Sequence, residues 1–88
     1  MKLKYNFVTN EVADKIVAVA VGEDLSKFNG FIKMNDIGAE ILEILKNDVT
    51  VEEIAEQMLK KHPEATMDEA LETVKSFTDK LIESGIVE

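Results

Sequence analysis

The spacing of apolar residues along the chain switches from a period of two to a period near 3.6 at about residue 35. Before the switch, Leu3, Tyr5 and Phe7 alternate with Lys4, Asn6 and Val8, the pattern of a half-buried strand. Residues Asn10 to Asp14 are polar enough to turn the chain. Lys15-Ile16-Val17-Ala18-Val19-Ala20-Val21 is β-branched and apolar at both parities, as expected of the central strand of a three-stranded sheet. Gly22-Glu23-Asp24 opens a second connection. A third strand is expected over 28–34, with Ile32 and Met34 on one face and Phe31 and Lys33 on the other. Gly30 inside it fits an edge better than a centre.

After the switch, three helices are expected, each with its own start signal. Asn35 can cap the first, with Asp36 at the anion-favouring end of the helix. Ile37, Ile41, Ile44 and Leu45 then form one face, although Gly38 costs roughly 1 kcal/mol relative to Ala. Thr50-Val51-Glu52-Glu53 reads as a capping box, and Val49 with Ile54 has the spacing of a hydrophobic staple. That second helix presents Ile54, Ala55, Met58 and Leu59, carries Lys60, Lys61 and His62 in its last turn, and stops at Pro63. Thr66-Met67-Asp68-Glu69 is another capping box. Leu71, Val74, Phe77, Leu81 and Ile82 make the third stripe, with Gly85 as its C-terminal cap. The order β-β-β-α-α-α defines an α+β fold: a three-stranded antiparallel sheet followed by three helices, packed like a winged helix-turn-helix. No linker or repeat interrupts it, so residues 1–88 are expected to form a single domain with one core.

Composition narrows what such a domain can do. The chain has 88 residues, ten Lys+Arg and eighteen Asp+Glu, for a net charge of −8. At this size only about 60% of the unfolded surface can be buried, so a partner or a second copy would help stability. With no cysteine, disulfides, iron–sulfur clusters, thiolate zinc and thiol nucleophiles are excluded. The lone His62 is too few for a histidine-rich metal site, and no cofactor is expected. All ten cations are lysine, which removes the bidentate arginine fork for phosphate or guanine. Charge also divides the chain: residues 1–34 carry a net of +1 and residues 35–88 a net of −9. The first residues have no apolar run of 7–15 positions behind them, and Ile16 to Val21 is too short to cross a bilayer. A cytoplasmic protein with no membrane partner is expected.

The remaining candidate chemistry has plain structural explanations. Glu52, Glu53 and Glu56, like Asp68, Glu69 and Glu72, sit near helix starts where the dipole stabilises acids. His62 at a helix end reads as a cation near the last carbonyls, since no nucleophile or carboxylate partner is identified for a general base. Asp24-Leu25-Ser26 has the wrong order for a carrier-protein attachment serine, and the scattered glycines form no phosphate loop. A helix-turn-helix from the second and third helices would place the acidic third helix against DNA, the wrong sign for counterion release. No enzyme activity and no nucleic-acid partner are expected, and the fold does not by itself imply one. The third strand is left with two readings. Its unpaired edge could accept an extended peptide, or Phe31 could be core and Lys33 the charge that protects a closed edge.

A family resemblance favours the first reading. Gly30-Phe31-Ile32-Lys33-Met34-Asn35-Asp36-Ile37-Gly38-Ala39-Glu40-Ile41 resembles the PqqD-like segment in which a third strand ends in Leu-Asn and enters a Gly-Ala helix. Val49-Thr50-Val51-Glu52-Glu53-Ile54-Ala55 is similar to that family's Thr-Val-Glu-Glu-Ile start, and Phe77 through Leu81 to Gly85-Ile86-Val87 to its closing pattern. The resemblance implies a non-catalytic peptide chaperone of the kind that recognises ribosomally made, modified precursor peptides, as in pyrroloquinoline quinone (PQQ) biosynthesis. Its partners would be the leader of a precursor peptide and a maturation enzyme, often a radical S-adenosylmethionine enzyme, with a homodimer possible in principle for so open an edge. The leader would add as a strand beside the third strand, against the last helix. Carried onto this chain, the strand wall would be Phe28, Phe31, Ile32, Lys33 and Met34. The helix wall would come from Val74, Lys75, Phe77, Thr78 and Leu81, some of which must serve the core. Met34 stands where the family usually has Leu, and the chain lacks the arginines of some relatives. The alternatives are an acidic winged-helix adaptor that docks a protein and, third, a DNA-binding regulator.

Overall fold

A computed structural model of the chain describes residues 1–28 and 30–88, and of Leu25 the backbone alone. Three strands, β1 (Phe7–Val12), β2 (Lys15–Ala20) and β3 (Phe31–Met34), precede three helices, α1 (Asp36–Ile44), α2 (Val51–Lys61) and α3 (Met67–Glu83). The sheet is antiparallel in the order β1-β2-β3, so β2 is central and β3 is an edge. Fold class and element order are those expected from the sequence.

Three strand boundaries differ from the expectation. The period-two pattern at Leu3, Tyr5 and Phe7 reflects extended backbone, but its two ends have different partners. Leu3 forms an isolated bridge with Val87, and Lys4 N–H donates to the Ile86 carbonyl at 2.8 Å. Only from Phe7 does the chain enter the sheet, opposite Ala20. Periodicity reports an extended conformation without saying which strand it meets. The hairpin turn is also tighter than Asn10 to Asp14: the register runs to Val12 opposite Lys15, leaving Ala13 and Asp14 as a two-residue turn with Ala13 at φ 56°. Thr9, Asn10 and Glu11 are exposed, as is Val12 beside the turn at 58%.

The third strand also starts later than 28–34 suggests. Asn29 lies outside the described residues, and Phe28 lies ahead of β3 in an aromatic cluster, its ring 6.4 Å from Tyr5 and 5.6 Å from Phe7.

All three helix starts carry their caps. Asn35 Oδ1 accepts from Gly38 N–H at 2.9 Å, and Thr50 with Glu53 and Thr66 with Glu69 complete reciprocal capping boxes. Val49 and Ile54, at staple spacing, are both buried. Gly85, at φ +74°, ends α3: its N–H donates to Ile82 and that of Ile86 to Leu81. This is a Schellman pair, with Leu81 and Ile86 both buried as its apolar contact.

The core joins both halves of the chain. Phe7, Ala18, Ala20 and Met34 from the sheet pack with Ile41, Leu45, Ile54, Val74, Leu81 and Ile86. Gly38 belongs to this packing and is not merely a weak helix residue. A Cβ there would lie 2.8 Å from Phe77 Cε1 and 3.0 Å from Met34 Cβ. Glycine lets α1 approach both β3 and α3.

Candidate functional site

The helices cover one face of the sheet. Because side chains alternate along a strand, Ile16, Ala18, Ala20, Ile32 and Met34 share the covered face through their pairings. Val8, Val17, Val19, Phe31 and Lys33 share the other, on which none of α1, α2 and α3 lies among the described residues. Val8 is 45% exposed and Phe31 58%. Lys33 Nζ sits 5.8 Å from the Phe31 ring centroid, within cation–π range.

The outer edge of β3 pairs with no other strand among the described residues. Past its Met34 end a cleft of about 390 Å³ opens between α1 and α3. Asn35, Ile37 and Gly38 form one side, and Thr73, Ser76, Phe77 and Lys80 the other, with Glu72 at the rim. The close approach allowed by Gly38 places half-buried Phe77 as the aromatic wall. A smaller cavity of about 240 Å³ continues toward the α2–α3 connection and shares Ile37 and Thr73 with the cleft.

The residues anticipated for a peptide site divide among several environments. Met34 and Ile32 face the core, Met34 almost fully buried. Phe31 and Lys33 lie on the helix-free face. Phe28 is half-buried outside the strand. On α3, only Phe77 of the five lines the cleft. Val74, Thr78 and Leu81 are core residues at 0%, 1% and 2% exposure, and as surface walls they are corrected here. Thr78 is buried without an unpaired hydroxyl, since its Oγ1 donates to the Lys75 carbonyl at 3.2 Å. Lys75 is exposed but does not line the cleft.

The cleft stripe is Thr73, Phe77 and Lys80, at i, i+4 and i+7, with Ser76 beside it. It lies on the flank of the apolar stripe, not at its centre. The sequence carries that signal in Phe77, the aromatic residue at the margin of the α3 core face, but nothing in it says which flank meets α1.

Acids line both spaces, Glu72 beside Lys80 in the cleft and Glu64 and Glu69 beside His62 in the cavity. His62 caps α2, and its Nε2 lies 2.7 Å from Glu40 Oε2, with Nδ1 3.7 Å from Glu64 Oε1. The histidine therefore ties α2 to α1 in addition to its place at the helix end. No group of three or more His, Cys, Asp or Glu among the described residues could hold a metal ion, and no described helix is long and apolar enough to cross a membrane.

This α+β arrangement, a three-stranded antiparallel meander followed by three helices, is shared with a solved structure. The structure described as "TbiB1 in Complex with the TbiA(beta) Leader Peptide" matches with a TM-score of 0.73 and 16% identity, covering 100% of this chain and 95% of that one. Residues 15–87 match the model of the family Coenzyme PQQ synthesis protein D (PqqD). The chain belongs to the PqqD family. A search of curated proteins gives no match.

Proposed function

We propose that this protein is a non-catalytic peptide chaperone, which binds the leader of a ribosomally made precursor peptide and presents it to a maturation enzyme. The free outer edge of β3, opening at Met34 into the α1–α3 cleft, carries this reading. An added peptide strand takes backbone hydrogen bonds from the edge, which tolerate many sequences, while the cleft selects among side chains. Family membership supports the reading, as does the leader peptide named with the structural neighbour.

Strand addition has a consequence for presentation. Alternate side chains of the peptide would point toward the helices and toward the helix-free face. The first set is read by this chain. The second set lies beside Phe31 and Lys33 on the face that Val19 and Val8 continue across the sheet, where an enzyme docked on that face would meet it. The maturation enzyme, a radical S-adenosylmethionine enzyme in the form the family resemblance suggests, belongs on that face.

Titration of ¹⁵N-labelled protein with the leader encoded beside its gene tests the mode. Amides of residues 31–34, Gly38 and 73–80 should shift together, and adding the maturation enzyme should broaden residues 8, 17, 19 and 31. Peptide-induced shifts confined to other surfaces would dismiss strand addition.

A further inference from the structure

The cavity next to the cleft has no part in strand addition, because it lies beyond the end of β3. Its floor is Ile37, Met58, Ala70 and Val74, and Glu64 and Glu69 stand at its margin. Met58, Ala70 and Val74 are all under a tenth exposed, so the floor is closed and apolar. At about 240 Å³ it is below the roughly 300–1,000 Å³ of sites that enclose a whole small molecule. It is sized for one large apolar side chain.

The mouth selects the neighbouring charge. Glu40 is already held by His62 at 2.7 Å, while the Glu64 side chain is 75% exposed and 3.7 Å from the same ring. Glu69 spends one oxygen on the Thr66 N–H. With His62 the only cation on the lining, the mouth is net negative in either state of that ring. In an extended peptide, residues two apart point to the same side. A basic residue two positions from the apolar anchor therefore reaches this margin.

We infer that the cavity is a second recognition subsite, taking an apolar residue paired with a Lys or Arg two positions away, in the stretch of peptide that runs on past the Met34 end of β3. It rests on the peptide-binding reading above and adds a sequence requirement to it. Continuity supports the path, since Ile37 and Thr73 line both the cleft and the cavity.

The test pans phage-displayed random dodecapeptides on the full chain and synthesises the enriched sequences. Enriched peptides should share the apolar-x-basic pair and shift the methyls of Ile37, Met58 and Val74 as well as the β3 amides. Exposed Glu64 permits a charge swap without disturbing the core. Glu64→Lys should weaken these peptides about fivefold at low salt, and replacing their basic residue by Glu should restore most of the loss. If the β3 amides shift but the pair is absent, the cavity methyls stay still or the swap has no effect, the subsite is wrong while strand addition stands. If no peptide is enriched, or none moves β3, both readings fall.

Discussion

Gly38→Ala should destabilise this protein, although the same change in an exposed helix would stabilise it. The helix interior favours Ala over Gly by about 1 kcal/mol. Against that gain stands the geometry: the new methyl would lie 2.8 Å from Phe77 Cε1, 3.3 Å from Phe77 Cζ and 3.0 Å from Met34 Cβ. The Phe77 ring can yield by moving into the cleft, but Met34 Cβ is fixed to the backbone of β3 and can move only with the strand. Overpacking of this kind costs about 1–3 kcal/mol. Taking the middle of that range, the net loss is about 1 kcal/mol, which lowers Tm by roughly 4–8 °C in a domain of this size.

Urea denaturation followed by circular dichroism measures this directly, with an unchanged m-value required for the comparison. The mechanism predicts coupling as well as sign. In a Phe77→Leu background the ring edge is gone and the Met34 Cβ contact remains, so Gly38→Ala should become close to neutral, and the double-mutant cycle should give a coupling of about 1 kcal/mol. A single Gly38→Ala variant as stable as the wild type, or more so, would refute the claim that glycine is there for close approach. A destabilised variant with no coupling to Phe77 would place the strain at Met34 alone.

Other perturbations separate backbone conformation, capping and recognition. Gly85→Ala should cost about 1–2 kcal/mol, because φ +74° is left-handed while nothing lies within 4 Å of the added methyl; thermal melts check it. Ala13→Gly should gain a few tenths to about 1 kcal/mol, since relief at φ 56° exceeds the added freedom of the unfolded chain, again read as a shift in melting temperature. Thr50→Ala and Thr66→Ala should each cost about 0.5–2 kcal/mol and add nearly independently, as they cap different helices; urea midpoints of the two single variants and the double variant decide it. For leader binding, Ser76→Arg should obstruct the cleft and weaken affinity at least tenfold, while Lys75→Glu, outside that lining, should leave it within about twofold; calorimetric titration distinguishes them.

Much of the fold was legible because local signals and tertiary packing agree. The capping boxes at Thr50 and Thr66, the Gly85 stop and the apolar β2 strand each use a local rule that the folded chain keeps. What sequence could not supply was pairing identity and direction. Leu3 and Phe7 share one alternation, yet Leu3 meets Val87 and Phe7 meets Ala20. Gly38 looked like a cost because its benefit lies in the approach of two elements distant in sequence. On α3 the apolar stripe was legible, but its most regular members, Val74 and Leu81, went to the core. The cleft used the half-apolar flank at Thr73, Phe77 and Lys80, which only the placement of α1 could reveal.

The sheet has two edges, and the difference between them explains why a peptide would choose β3. Beside β1, Val8 and Thr9 border a smaller recess of about 180 Å³ whose helical side includes Ala39, Leu42, Glu43 and Lys46. Glu43 and Lys46 are paired at 2.9 Å across that side, and a strand laid there would have to leave the pair intact or break it. Beyond Thr9, β1 is exposed from Asn10 to Val12, and these residues do not line the recess. A peptide on β1 would gain backbone bonds but little apolar contact. At β3 the same backbone bonds come with Phe77, Ile37 and a cleft about twice as large. Main-chain bonds alone cannot distinguish the two edges, so selectivity has to come from the helix beside each one. Removing the aromatic wall by Phe77→Ala should therefore weaken a bound leader by at least tenfold and make the residual binding less selective for β3. Hydrogen exchange on the complex would show this as reduced protection at residues 31–34 with protection at residues 7–12 unchanged or raised; undiminished protection of β3 in the variant would overturn the assignment of selectivity to α3.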